Sequence, residues 1–215
     1  MSNLIIFAFL ASAYIVAEAS FGLHNPHHSI HPLCDKAADI VFLVDDSRSI
    51  WYEHFAQELD FVQRLSARFH ISSYKTRFAA VAFSSGVREI FPFGRFDTQY
   101  EVRNALGSIY QSSGSTTDTY KGIQYVREYI FPHARTDGGS QERVQARREA
   151  TLAKLSGIQI FVIGIGKYLE PYHLEELASE PAARYLYSVS SFPKLLNVDL
   201  RIAEQVCLGR KAFIL

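Results

Sequence analysis

Residues 39–50 read DIVFLVDDSRSI, and the apolar run 40–44 leads directly into acidic and hydroxyl side chains. An uninterrupted apolar run of this length is typical of a strand buried on both faces of a parallel sheet. Asp45, Ser47 and Ser49 follow at every second position, a spacing that turns three oxygens to one side of an extended segment. The stretch therefore predicts a central strand that ends in a set of oxygen donors.

Short apolar runs alternate with helical patterns over the rest of the chain, which predicts an α/β fold with a doubly wound, mostly parallel sheet. RFAAVAFSS and VREIF flank a Ser-Ser-Gly turn, so we expect one antiparallel hairpin at the sheet edge. GIQIFVIGIG at 157–166 predicts a second fully buried strand, and RYLYSVS a further one. Helices are predicted for the run from Phe55 to Phe69, TQYEVRNALGSIY, TDTYKGIQYVREYIF, a segment starting near Gln141, PYHLEELAS and FPKLLNVDLRIAEQVC.

The N-terminal residues 1–19 resemble a secretory signal peptide. The apolar run LIIFAFLASAYIV precedes Ala17-Glu18-Ala19, a small-x-small cleavage site. We expect residues 20–33, which are rich in His and Pro, to form a flexible lead-in. A single domain over 34–207 follows, then a short tail at 208–215. We expect no membrane span once the signal is cleaved.

Secretion changes the interpretation of the two cysteines, Cys34 and Cys207. They stand at the two ends of the predicted domain, and an oxidising compartment would let them pair. The alternative is two unrelated buried thiols.

Composition argues against several function classes. The 22 basic and 22 acidic residues balance, so no charge excess favours nucleic acid. The sequence contains neither a G-x-S-x-G elbow nor a P-loop, and GIGKYL lacks the third glycine of a dinucleotide-binding turn. We therefore expect a binding protein rather than an enzyme.

Ligands of open α/β sheets bind beyond the carboxyl ends of the strands. A carboxylate with two hydroxyls is a hard-oxygen set that suits Mg²⁺, Mn²⁺ or Ca²⁺ better than zinc. A helix N-cap is the alternative explanation of Asp45, Ser47 and Ser49. A second loop, GSTTDTYKGI, offers Thr117 and Thr119 ahead of another helix.

Together, DIVFLVDDSRSI and TTDTYKGI resemble the D-x-S-x-S and T-x-T elements of the metal-ion-dependent adhesion site in von Willebrand factor type A domains. RFAAVAFSSGVREIF and GIQIFVIGIG are similar to further strands of that family, and the flanking cysteines resemble those of matrilin and collagen-associated modules. The resemblance implies that Asp45, Ser47, Ser49 and Thr117 hold a Mg²⁺ or Mn²⁺ ion, and Ca²⁺ is a further candidate. Thr119 is the alternative to Thr117 as the ligand from the second loop. It also implies a carboxylate-bearing extracellular partner, such as collagen or another matrix component.

The sequence departs from the family pattern between Phe131 and Gln141. The family has a buried strand there with a T-D-G turn, whereas this chain has FPHARTDGGSQ and no apolar run. We interpret the Thr136-Asp137-Gly138 match as accidental and leave Asp137 out of the ligand set. The central strand is thus expected to be missing, through a shortened module or a faulty gene model. The missing acidic ligand keeps a second function open, that of a metal-free structural component of an extracellular or mineralised matrix.

Overall fold

The computed structural model describes residues 3–11, 34–130, 142–166, 169, 171–195 and 198–208. The predicted lead-in, the tail beyond Leu208 and the segment 131–141 with Asp137 lie outside these residues. The strands are β1 (Asn3–Ala11), β2 (Ala38–Asp45), β3 (Thr76–Phe83), β4 (Val87–Phe91), β5 (Ile158–Ile165) and β6 (Leu186–Val189). The helices are α1 (Tyr52–Ser66), α2 (Gln99–Gly107), α3 (Thr119–Tyr125), α4 (Glu142–Leu155), α5 (Pro171–Leu177), α6 (Ala182–Tyr185) and α7 (Val198–Leu208).

The strands form one six-stranded sheet in the order β4-β3-β2-β1-β5-β6. Every neighbouring pair is parallel except β3 and β4, which form the predicted antiparallel hairpin at the edge. The doubly wound α/β fold is therefore confirmed. The two apolar runs are buried on both faces, as predicted, because six consecutive residues are buried in β2 and again in β5.

An N-terminal segment occupies the middle of the sheet, where the sequence predicts that the family's central strand is missing. β1, from the predicted signal peptide, lies between β2 and β5 and pairs with both. Sequence reasoning placed the missing strand between α3 and α4 and did not consider an N-terminal segment, whose apolar composition suits a central strand as well as a leader. Cleavage of residues 1–19 stays a prediction.

Helix α1 carries the apolar stripe that its spacing predicts, with Phe55, Leu59, Val62 and Leu65 buried. Helix α3 continues into a π-helical turn, Val126–Ile130. Helix α7 is preceded by a 3₁₀ turn, Phe192–Leu195, where the sequence predicted one continuous helix.

The two ends of the domain are joined covalently. Cys34 and Cys207 form a disulfide with 5.6 Å between their Cα atoms and a sequence separation of 173. Beside it, the Arg68 guanidinium donates two hydrogen bonds, of 2.9 and 2.8 Å, to one carboxylate oxygen of the buried Asp199 on α7. The predicted disulfide therefore holds the first strand of the domain, the end of α1 and the last helix together.

A buried ion pair joins the π-helical turn after α3 to α4. Arg127, which is 1% exposed, donates to the Glu149 carboxylate at 3.0 and 2.6 Å. A second carboxylate, that of Glu128, accepts a hydrogen bond of 3.0 Å from the same guanidinium. In the described residues, no helix has both the length and the apolar character to span a membrane.

Candidate metal-binding site at the carboxyl end of the sheet

The site begins where β2 ends. Asp45 is the last residue of β2 and pairs with Phe83, the last residue of β3. Its side chain is fully buried, and one carboxylate oxygen, Oδ1, accepts a hydrogen bond of 2.9 Å from the Ser47 backbone N–H. The other oxygen, Oδ2, is buried without a hydrogen-bond partner among the described residues. Since a buried, unpartnered carboxylate oxygen costs free energy, it calls for a proton or a cation.

Three hydroxyl groups meet directly after this carboxylate. The Oγ atoms of Ser47 and Ser49 are 2.8 Å apart, and the Thr117 hydroxyl donates to Ser47 Oγ at 3.2 Å. Ser47 is buried, whereas Ser49 and Thr117 are exposed, so the cluster reaches from the buried carboxylate to solvent. The two loops singled out from sequence thus contribute to one cluster.

Backbone and amide contacts hold the two loops together. The Arg48 N–H donates to the Gly114 carbonyl at 3.0 Å, which links the first loop to the second. The Gln111 side-chain amide donates to the carbonyls of Ser47 and Ile50 at 2.8 and 2.7 Å. The position of the hydroxyls is therefore set by the fold and does not depend on a ligand.

Gly114 permits this close approach. A Cβ atom at this position would lie 2.6 Å from the Ser84 Cβ, a distance that real side chains do not tolerate. Glycine is thus required where the threonine loop passes over the end of β3.

Asp46 fastens the same region to the sheet edge. Its carboxylate accepts hydrogen bonds from Ser112 Oγ at 3.0 Å and from Arg88 Nη2 at 2.9 Å. Arg88 also donates to the Tyr110 carbonyl at 2.8 Å, and its guanidinium carbon lies 3.9 Å from the centroid of the Tyr110 ring. An aspartate in a loop after a strand is most often solvated, whereas the Asp46 side chain is 2% exposed and paired.

Sequence reasoning did not identify Glu58, which lies below the site on α1. It is fully buried and neither carboxylate oxygen has a hydrogen-bond partner among the described residues. Burial, and then the neighbouring charge of Asp45, raises the pKa of Glu58 well above its usual value. The signal was present, because position 58 stands three residues after Phe55 and four before Val62, within the apolar stripe of α1.

Burial also raises the pKa of Asp45 from 3.8 to about 6, and the charge of Asp46 adds to this, while hydrogen bonds from Ser47 oppose it. The negative charge of ionised Asp45 is therefore costly at this end of β2, where its Oδ2 atom lacks a donor. A divalent cation would neutralise that charge, and the oxygens present are of the kind that Mg²⁺ and Mn²⁺ prefer. The residues thus fit a hard cation held by one carboxylate and hydroxyls.

The fit has a clear limit. Within the described ranges, no cluster of three or more His, Cys, Asp or Glu side chains is arranged to hold a metal. Thr119, the alternative to Thr117, is the buried first residue of α3. Asp137 lies outside the described residues. The candidate set therefore remains Asp45, Ser47, Ser49 and Thr117.

Two aromatic side chains stand beside the site. Trp51 is 56% exposed and Tyr52 76% exposed, directly after the first loop and at the start of α1. Both side chains are therefore exposed next to the oxygen cluster.

Comparisons with known proteins point to one family. A family model for the von Willebrand factor type A domain matches residues 39–200. Matrilin-1 of Mus musculus is 28% identical over 186 residues, which cover 80% of this chain and 36% of matrilin-1. Vitrin of Mus musculus is 32% identical over 184 residues, which cover 81% of this chain and 28% of vitrin.

Solved structures of proximal thread matrix protein 1 from the mussel byssus are similar as well. One has a TM-score of 0.71 and 29% identity, over 81% of this chain and 48% of that chain. Another, described as having a zinc-occupied MIDAS motif, has a TM-score of 0.69 and 26% identity, over 81% of this chain and 49% of that chain. The chain thus spans less than half of each of these relatives.

Proposed function

The chain belongs to the von Willebrand factor type A family, and from that premise we propose that it binds a matrix protein through a divalent cation held by Asp45, Ser47, Ser49 and Thr117. The observation that carries the proposal is the buried Asp45 oxygen without a partner, next to three hydroxyls that reach solvent. The predicted location in the extracellular matrix is confirmed by its relatives, among them a byssal matrix protein.

The roles of the residues follow from their burial. Asp45 supplies the only formal negative charge of the set, while the exposed Ser49 and Thr117 face the side from which a partner approaches. A bound cation would offer an open coordination position to a carboxylate of the partner. Mg²⁺ and Mn²⁺ suit these oxygens, Ca²⁺ is a further candidate, and zinc enters the test because it occupies the motif in a relative.

The surface around the site suits a protein partner. Trp51, Tyr52 and Tyr110 are each more than half exposed. Aromatic side chains of this kind are enriched among the residues that dominate protein interfaces. We propose that they surround the metal-dependent contact with a matrix protein such as collagen, and that the protein acts by binding rather than by catalysis.

Isothermal titration with Mg²⁺, Mn²⁺, Ca²⁺ and Zn²⁺ tests the metal site. Thr117→Val should weaken binding at least tenfold, because it removes a hydroxyl and keeps the shape of the side chain. Thr116→Val, in the same exposed loop, is the matched control and should bind as the wild type does. Equal heats from both variants would exclude Thr117 from the site.

Binding to immobilised collagen, measured with Mg²⁺ and again with EDTA, tests the partner. The proposal requires binding that EDTA abolishes and Asp45→Ala abolishes as well. Metal binding without collagen binding would leave the site standing and reject this partner.

A second candidate function, that of a metal-free structural component of the matrix, also rests on an observation. Ser47, Ser49 and Thr117 already satisfy one another by hydrogen bonds, and a single carboxylate offers a cation little charge. Absence of heat with all four cations would favour this function.

A further inference from the structure

The middle of the sheet depends on a segment far from it in sequence. β1 pairs with β2 from Asn3↔Ala38 to Ala8↔Leu43 and with β5 from Leu4↔Ile158 to Ala11↔Ile165. One side of the sheet is thus β4-β3-β2 and the other is β5-β6, and β1 is the strand that joins them.

Neither neighbour of β1 is suited to the edge of a sheet. In β2 and in β5, six consecutive residues are buried. Without β1, six residues of β2 (38–43) and eight residues of β5 (158–165) would lose the strand that they pair with, and their backbone N–H and C=O groups would face an apolar slot. Unpaired buried backbone groups cost about as much as lost hydrogen bonds, and open edges attract other strands.

The sequence of the segment matches the slot. NLIIFAFLA has neither proline nor a charged residue, and it is a continuous apolar run of the kind found in strands buried on both faces. The segment 131–141, where the family pattern places a strand, contains Arg135 and Asp137 in place of such a run.

We propose that β2 and β5 form a strand-acceptor slot and that residues Asn3–Ala11 of the same chain are its occupant, which the folded protein retains. The segment serves as the central strand, so removing residues 1–19 opens the slot and separates the two sides of the sheet. The proposal is independent of the metal site, since β1 and β2 pair only as far as Leu43 and the ligands begin at Asp45.

The test uses the full chain with a specific protease site inserted after Ala19. The protein is folded, cleaved and passed over a size-exclusion column. We expect the 1–19 fragment to co-elute with the rest of the chain and the thermal midpoint to stay within a few degrees of that of the uncleaved protein.

Two proline variants of this chain identify the contact. Ile6→Pro removes a backbone donor from the middle of β1, so it should lower the thermal midpoint and release the fragment after cleavage. Ile15→Pro changes the same apolar run four residues after Ala11, the last residue of β1, and should do neither.

Three results would overturn the proposal. The first is separation of the wild-type fragment with no change in the thermal midpoint. The second is co-elution of the Ile6→Pro fragment, which would indicate non-specific adhesion. The third is wild-type behaviour of both proline variants. Hydrogen exchange adds a readout without cleavage, because the amides of residues 4–8 should be as protected as those of β2 and β5.

Discussion

Replacing Asp45 by Asn in metal-free protein should change how stability depends on pH. Burial raises the pKa of Asp45 from 3.8 to about 6, so the folded protein holds this proton more tightly than the unfolded chain does. For such a group the free energy of unfolding is highest at low pH and falls as pH rises toward 6. At about 1.4 kcal/mol for each pH unit, ionisation of Asp45 costs the wild type about 2 to 3 kcal/mol between pH 4 and pH 7.

Asn cannot ionise, so Asp45→Asn should lose that much less stability over the same pH range. The new amide introduces a buried donor that lowers the free energy of unfolding by the same amount at every pH. That amount cancels when the free energies at pH 4 and pH 7 are subtracted. The charge of Asp45 contributes to the raised pKa of Glu58, so the two proteins are compared in a Glu58→Gln background, where Glu58 no longer titrates.

Urea unfolding at pH 4, 5, 6 and 7 in EDTA measures the effect. Adding Mg²⁺ at pH 7 should then stabilise the wild type and leave Asp45→Asn unchanged, because binding requires the ionised carboxylate. Parallel stability curves for the two proteins in EDTA would refute the argument, since they would mean that Asp45 titrates as an exposed carboxyl does.

Three further predictions concern Gly114, the buried ion pair and the disulfide. Gly114→Ala should displace the threonine loop, cost about 1 to 3 kcal/mol in urea unfolding and weaken Mg²⁺ binding in titration calorimetry. Arg127→Met should cost about 3 to 5 kcal/mol because it leaves Glu149 buried without this partner, and the double variant with Glu149→Met should recover most of that loss. Replacing both Cys34 and Cys207 by Ser should lower the free energy of unfolding by about 2 to 5 kcal/mol, and an unchanged urea midpoint would mean that the disulfide does not constrain the unfolded chain.

Much of the fold follows from local pattern. The apolar runs of β2 and β5 and the stripe of α1 determine the sheet and the helix that covers it, and the Ser-Ser-Gly turn marks the edge hairpin. The cysteines and the two oxygen-bearing loops follow from the same pattern, because parallel strands bring their carboxyl ends to one edge.

What sequence reasoning missed depends on contacts between distant segments. An apolar N-terminal run has the same composition whether it serves as a leader or as a buried strand, and β1 is distinguished only by the unpaired edges of its two neighbours. The burial and pairing of Asp46 could not be predicted, because its partner, Arg88, stands 42 residues later in the sequence. Glu58 was hidden in an otherwise apolar stripe, and its effect on Asp45 depends on how α1 packs on the sheet.

A crystal grown with Mn²⁺ tests the central claim most directly, because the anomalous signal of the metal locates it without reference to the protein. We expect one peak at coordination distance, about 2 Å, from Ser47 Oγ and Ser49 Oγ, beside the Asp45 carboxylate. A peak elsewhere, or none at saturating Mn²⁺ with the Ser47–Ser49 hydrogen bond intact, would contradict it.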